Sequence, residues 1–278
     1  MKIKLWGTRG SLATPGAETM RYGGNTACVQ VSGNDGTVLV LDAGTGIRRV
    51  SAALPRDLKR VDILLTHLHL DHIQGLGFFG PLDTPGFQVH IWGPASTTQD
   101  LRTRLTRYLS PPLFPVRLRD LPCQLFLHET PCAEFHIGEF EIQTALVCHP
   151  GPTVGYRIST ARASLTYIPD HEPALGAKNF PSAAEWTSGF ALAAKTDLLI
   201  HDAQFSDAEY SPRIGWGHST YDHAVAFAKL ARVKTLLPFH FDPGHTDDVL
   251  DQYHARAAQT GAPEIRVTAG MEGMEIIL

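Results

Sequence analysis

The chain has 278 residues, 43% of them hydrophobic, enough to bury a sizeable core as one large domain or two intimate halves. Its formal net charge of -4 argues against a protein built mainly to grip nucleic-acid backbones, and no apolar stretch approaches a membrane span. The cysteines Cys28, Cys123, Cys132 and Cys148 include no C-x-x-C pair and read as reduced, mostly buried thiols, with Cys148 beside His149.

The start, Met1 to Gly7, reads as a strand entering a glycine turn rather than a signal peptide, so a soluble, cytoplasmic protein is expected. Short apolar runs bounded by glycine-rich turns predict strands over residues 3–6, 27–31, 38–42, 61–66 and 89–92. Helical patterns fall near 47–53 and after His72. Residues 98–109 read as a helix with Leu101, Leu105 and Leu109 on one face and Arg102, Arg104 and Arg107 mostly off it, ended by Pro111, Pro112 and Pro115. The second half predicts strands over 140–147, 155–159, 164–168 and 198–201, then a helix carrying Ala224, Phe227, Ala228 and Ala231. A strand over 235–239, a helix over 247–259 and closing strands over 264–268 and 274–278 complete the chain. No low-complexity linker divides it, so residues 1–278 are read as a single domain of two β-rich sheets with helices outside.

The stretch Thr66-His67-Leu68-His69-Leu70-Asp71-His72 holds four potential metal ligands in six residues and follows an apolar strand. His67 and His69 are two apart, so on extended backbone both point to one side; Asp71 and His72 enter the next turn and can face the same point from another direction. Imidazole nitrogens with a carboxylate oxygen favour zinc or a similar divalent ion. More residues of metal-binding type stand where later strands end. His149 precedes the turn Pro150-Gly151, Asp170 follows the strand over 164–168, and His240 follows that over 235–239. A closed ligand set must recruit from distant sequence, which makes these three candidates beside the dense cluster.

With these residues in this order, and with Val38-Leu39-Val40-Leu41-Asp42-Ala43-Gly44-Thr45-Gly46 upstream, the chain resembles the metallo-β-lactamase-fold hydrolases over essentially its whole length. The resemblance implies an α+β fold, a four-layer αββα sandwich, with a dinuclear site at one edge. It implies that His67, His69 and His149 hold one metal, that Asp71, His72 and His240 hold the second, and that Asp170 bridges them. The cofactors are then two divalent metal ions, Zn2+ in first place, with Mn2+ and Fe2+ also suited to nitrogen and oxygen ligands. Two adjacent cations lower the pKa of a bridging water and generate hydroxide near neutral pH. Asp71 is expected to act catalytically by orienting the water proton, and Asp42 to hydrogen-bond near the ligand loop and fix an imidazole.

Finer motifs narrow the resemblance. Asp170 stands where true β-lactamases have cysteine. His201-Asp202-Ala203-Gln204-Phe205, Gly217-His218-Ser219-Thr220 and Phe239-His240-Phe241-Asp242-Pro243 resemble the ribonuclease Z and cyclic-nucleotide phosphodiesterase group. That group implies a catalytic His218, stabilising the phosphate and protonating the leaving oxygen, with Asp202 as its partner where the group usually shows glutamate. Ser219 or Thr220 also suits the cap of the following helix. Transfer-RNA-maturing members carry a long arm between the residues matching His149 and Asp170; here only about twenty residues intervene, enough for a strand turn and return. The expected partner is therefore a small-molecule phosphodiester, with cyclic nucleotides foremost, and neither long RNA nor membrane. The alternatives are another hydrolase of this fold, acting on a thioester, lactone or haloaromatic, and, behind it, a tRNA 3'-processing endonuclease. The group is often dimeric, which leaves a homodimer open. Arg102, Arg104, Arg107, Arg117 and Arg119 are either phosphate-binding cations or a solvated face. The loops Gly7 to Ser11 and Tyr22 to Thr26 are expected near the metals, and Phe78, Phe79, Trp216 and Phe241 are read as a base-stacking wall or as core.

Overall fold

In the computed structural model, which describes residues 1–130, 132–177 and 180–278, the strands run in chain order through two sheets. β1 (Lys2–Gly7), β2 (Cys28–Ser32), β3 (Val38–Leu41), β4 (Arg60–Leu64), β5 (Gln88–Pro94) and β6 (Gln124–Thr130) lie in the first. β7 (Glu134–Ile137), β8 (Phe140–Leu146), β9 (Val154–Ser159), β10 (Ser164–Ile168), β11 (Leu198–Asp202), β12 (Thr235–Phe239) and β13 (Arg266–Val267) form the second; β14 (Glu275–Ile277) returns to pair with β1. β3 to β6 are mutually parallel, as are β10 to β13, while the remaining pairs are antiparallel.

Alternation along the strands builds the layers. Leu39, Leu41 and Leu64 face inward to meet Ile158, Tyr167, Leu237 and Phe239 of the opposing sheet. Val38, Val40, Val61 and Ile63 face outward under the helices α1 (Ile47–Ala53) and α3 (Leu101–Thr106). Leu199 and Leu236 face outward on the other side, under α6 (Tyr221–Leu230) and α7 (Asp247–Gly261). Burial of each such side chain stabilises the sandwich by roughly 1.5–3 kcal/mol. The result is the expected α+β order of helix, sheet, sheet, helix. Three short helices, α2 (Leu70–Ile73), α4 (Phe190–Ala193) and α5 (Asp207–Tyr210), sit in loops.

Every predicted strand is present, and the helix over 47–53 matches α1 end to end. The helix expected over 98–109 is shorter, because Asp100 accepts from Thr103 N at 2.7 Å and caps it at Leu101; Leu101, Leu105 and Leu109 are nonetheless buried. β6 and β7 were not foreseen. They are edge strands, as the foreseen β13 and β14 also are, but in β6 and β7 polar residues such as His128, Glu129, Glu134 and His136 break the apolar pattern. The thiols are less buried than expected: Cys28 is buried, Cys123 and Cys148 are intermediate, and Cys132 is exposed. Among the described residues no helix is long and apolar enough to cross a membrane.

Candidate metal centre

The expected ligand residues come from the carboxyl ends of four strands, the edge at which open α/β sheets bind ligands. β4 is followed by His67, His69, Asp71 and His72, β8 by His149, β10 by Asp170 and β12 by His240. His69 is extended, at φ -64° and ψ 151°, as the cap of α2. The chain therefore presents the His69 imidazole from extended backbone and then Asp71 and His72 from the first helical turn. Asp42 and His240 have φ of 57° and 64°, a left-handed conformation that costs a non-glycine residue about 1 kcal/mol. At Gly10 a Cβ would fall 2.3 Å from His240 Nδ1, so this position needs glycine for the imidazole to lie against the first loop. The same loop donates Ser11 N to Asp71 Oδ2 at 2.7 Å. The glycine-rich opening segment thus sits where it was expected, against the cluster.

All seven residues converge. His67, His69 and His149 place ring nitrogens within 4.8 Å of one another, and Asp71, His72 and His240 form a second group of the same span. Asp170 stands between the groups. Its Oδ1 lies 3.8 Å from His67 Nε2 and from His149 Nε2, and 3.3 Å from His240 Nε2; its Oδ2 lies 3.1 Å from His72 Nε2.

Whether these groups suit cations can be read from their outer hydrogen bonds. His72 Nδ1 meets Asp42 Oδ2 at 2.8 Å, His149 Nδ1 meets the Gly217 carbonyl at 2.8 Å, and His240 Nδ1 meets Gln204 Oε1 at 3.1 Å. Each partner is an acceptor, so each Nδ1 carries a proton and Nε2 is the nitrogen turned inward, where its lone pair serves an ion once that nitrogen is unprotonated. Two of these inward nitrogens, of His72 and His240, then face each other at 3.2 Å. His149 Nε2 faces His69 Nδ1 at 3.1 Å, and the buried His67 Nε2 has no hydrogen-bond partner among the described residues. Lone pairs collected in this way need positive charge between them, and the donor set fits a pair of divalent ions.

The titration directions separate the two groups. Burial opposes charge on His72, but the carboxylates of Asp170, Asp71 and Asp42 outweigh it and hold its pKa well above the usual value. Burial also works against Asp71 and Asp170 as carboxylates, yet the surrounding imidazoles keep both acids well below the usual range. His67, His69 and His149 go down, first through burial, which favours the neutral, ligating form.

His218 Nδ1 lies 2.7 Å from Asp202 Oδ2, and its ring stacks on His240 at 5.1 Å. Burial lowers its pKa but the Asp202 carboxylate, with Asp170 and Asp71, wins and raises it. The Asp202 carboxylate is itself fixed by the backbone N–H groups of His171, Gln204 and Ser219. His218 also lies within 4.8 Å ligand span of His149 and Asp170, but its Nδ1 faces Asp202, so Nε2 is the nitrogen left for a bound molecule. Thr220, next but one, caps α6 by accepting from His223 N at 3.0 Å.

Two supporting residues escaped the sequence reading. Glu172 is fully buried and accepts from Tyr210 Oη (2.8 Å), Gly215 N (2.9 Å) and Gly217 N (2.8 Å), fixing the loop that carries both His218 and the carbonyl under His149. Tyr167 Oη donates to Asp42 Oδ2 at 2.9 Å. The signal for Glu172 was its place two residues after Asp170; Tyr167 lay inside a strand and gave none. Asp42 performs as expected, accepting also from Thr66 N at 2.8 Å. Of the proposed aromatic wall, Phe79 and Phe241 are fully buried core, whereas Phe78 and Trp216 are 62% and 59% exposed.

Residues 37–241 match the family model of the β-lactamase superfamily domain. The ribonuclease Z of Anoxybacillus flavithermus is 26% identical over 265 residues, covering 80% of this chain and 81% of its own. Among solved structures, a diphosphatase of the PhnP family superposes with a TM-score of 0.68 at 18% identity, covering 100% of this chain and 97% of that one. The short form of human tRNase Z gives 0.64 at 22% identity, covering 100% and 99%. A family model spanning most of the chain, on a sandwich whose strand ends bring these histidines and aspartates together, means that the protein belongs to the β-lactamase superfamily of metal-dependent hydrolases.

Proposed function

We propose that this protein is a dinuclear phosphodiesterase acting on a small phosphodiester, a cyclic nucleotide foremost. In this reading His67, His69 and His149 hold one divalent ion, Asp71, His72 and His240 hold the other, and Asp170 bridges them. The nitrogen and oxygen donors suit zinc, with manganese or iron able to replace it. Bound there, the ions would supply an activated water near neutral pH and neutralise charge on the phosphoryl oxygens.

The protein's own groups do the rest. Asp71, held by Ser11 N, orients the proton of the attacking water. His218, whose protonated form is favoured by its contact with Asp202, offers Nε2–H to the phosphoryl oxygen and then to the departing oxygen. The observation that carries the reading is this His218–Asp202 pair beside Asp170. A thioester or lactone hydrolase has less need of a charged proton donor at that place, because a phosphodiester brings a full negative charge to it.

Cleavage of RNA is the second reading, favoured by relatives that bear the name ribonuclease Z. Against it, β9 and β10 form a direct antiparallel hairpin, with Thr160 N bonded to Ala163 O, in the interval between His149 and Asp170. The test is hydrolysis of bis(4-nitrophenyl) phosphate by metal-loaded protein and by His218→Ala, with metal content measured on both. Turnover that falls about 100-fold or more in the variant while its metals stay bound is expected. No turnover by the fully loaded protein would sink the phosphodiesterase reading. Cyclic AMP, cyclic GMP and a short 3'-extended RNA would then separate the two substrate classes.

A further inference from the structure

A cleft of about 360 Å³ opens beside the first group of imidazoles, on the side of His67 and His69. Leu68, Leu70 and Ile73 of the ligand segment form one wall, and Leu113 faces them from the loop after α3. Two cations, Arg104 and Arg107, share this otherwise apolar wall. Their circumstances differ. Arg104 is engaged, with Nη2 donating to Pro94 O at 2.5 Å and lying 3.8 Å from Glu129. Arg107 has neither an ion pair nor a side-chain hydrogen bond among the described residues, and it is exposed.

The position of Arg107 is nevertheless set by its neighbours. Leu105 and Leu109, on either side, are buried in the outer core. Tyr108 Oη donates to Gln74 O at 2.5 Å, tying this turn to the end of the metal-ligand segment. An unpaired guanidinium thus extends from an anchored turn at the wall of an apolar cleft beside the imidazoles. The charge of the scissile phosphodiester is met at the centre itself, so the guanidinium is spare for another anion.

We infer that Arg107 binds a second anionic group on the substrate, so that the site prefers a phosphodiester whose flanking ester group is compact, apolar or aromatic, and negatively charged in its own right. Leu68, Leu70, Ile73 and Leu113 take the apolar body of that group by excluding water from it. Arg107 takes its anion through a planar fork of donors. This rests on the phosphodiesterase reading above and moves the preference within it from cyclic nucleotides, whose only anion is the scissile phosphate, to diesters that carry a second anion.

The test uses two diesters of equal shape, bis(4-nitrophenyl) phosphate and 4-carboxyphenyl 4-nitrophenyl phosphate, because carboxylate and nitro groups are both planar and differ by one charge. For each metal-loaded protein the readout is the ratio of kcat/KM for the carboxylate diester to that for the dinitro diester. A general loss of activity cancels in that ratio, as does leaving-group chemistry common to all variants. Arg107→Ala should lower the ratio about fivefold, the scale of one solvent-accessible charge pair. Arg107→Glu should lower it further and Arg107→Lys should keep part of it. An equal ratio in the parent protein and Arg107→Ala overturns the assignment of Arg107 while leaving phosphodiester hydrolysis standing. Absence of turnover of both diesters by the parent protein overturns both.

Discussion

The two proposed ion positions face each other across Asp170 and are built differently. One is offered three imidazoles, His67, His69 and His149, and His69 is exposed at the apolar cleft. The other is made by Asp71, His72 and His240, all buried, with the Asp42 carboxylate directly behind His72. The first position attracts a cation through the lone pairs of neutral rings, which depend on tautomers locked from outside, as by the Gly217 carbonyl on His149. The second attracts it through charge, since the carboxylates of Asp42, Asp71 and Asp170 all lie against the His72 ring. Electrostatic attraction in a buried place is screened little and acts strongly. The second position should therefore bind first and matter more to folding, while the first, at the mouth of the cleft, should exchange more freely.

The largest expected effect strikes both positions at once. Asp170→Ala removes the one carboxylate within 3.8 Å of His67, His72, His149 and His240. Metal content should fall for both ions, and turnover of bis(4-nitrophenyl) phosphate by about 1000-fold or more, the scale of several kcal/mol of lost charge stabilisation. Next come the variants that separate the positions. His69→Ala should lose one ion and keep the other with little change in Tm, whereas His72→Ala should lose its ion together with the metal-dependent part of Tm. Equal losses from the two variants, by elemental analysis and thermal melts, would break the comparison. Glu172→Gln comes third. It touches no ligand atom, but it weakens the clamp on Gly215 and Gly217 and so loosens His149 and His218 together. About a tenfold loss of activity with both ions retained is expected, and loss of the second ion instead would show that the clamp acts elsewhere.

The contrast also explains what the sequence disclosed. Six of the seven proposed ligands either lie in the dense run from His67 to His72 or end an apolar strand of recognisable period, as Asp170 and His240 do. His149 comes three residues after the last residue of β8, yet the Pro150-Gly151 turn marked it. The central strands were legible because both faces are buried, making β3 and β4 nearly continuous apolar runs. What stayed hidden lies at the edges and in the supports. β6 and β7 carry polar residues on exposed edges, and Glu172 and Tyr167 act through hydrogen bonds to partners far away in sequence. No local pattern encodes such a contact. The Arg-rich run shows the same limit, since composition could not tell the engaged Arg104 from the unpaired Arg107.

The smallest change sharpens the comparison most. Tyr167 donates to Asp42 Oδ2 from inside the sandwich, and burial, followed by the Asp42 charge, holds its pKa well above the usual value, so it stays a donor throughout the working range. Tyr167→Phe deletes that bond and keeps the ring against Phe239. Asp42 still accepts from Thr66 N, Thr66 Oγ1 and His72 Nδ1, so no buried carboxylate is stranded. The stability cost should be near the lower end for a bond to a charged group, about 1.5 kcal/mol. The effect on metal should be larger at the second ion, because Asp42 meets His72 directly and reaches His67 only through the Thr66 hydroxyl. Competition with a chromophoric chelator should show the second ion weakened by less than about tenfold and the first weakened less. A weaker first ion with an unchanged second would mean that the charge of Asp42 is not what distinguishes the two positions.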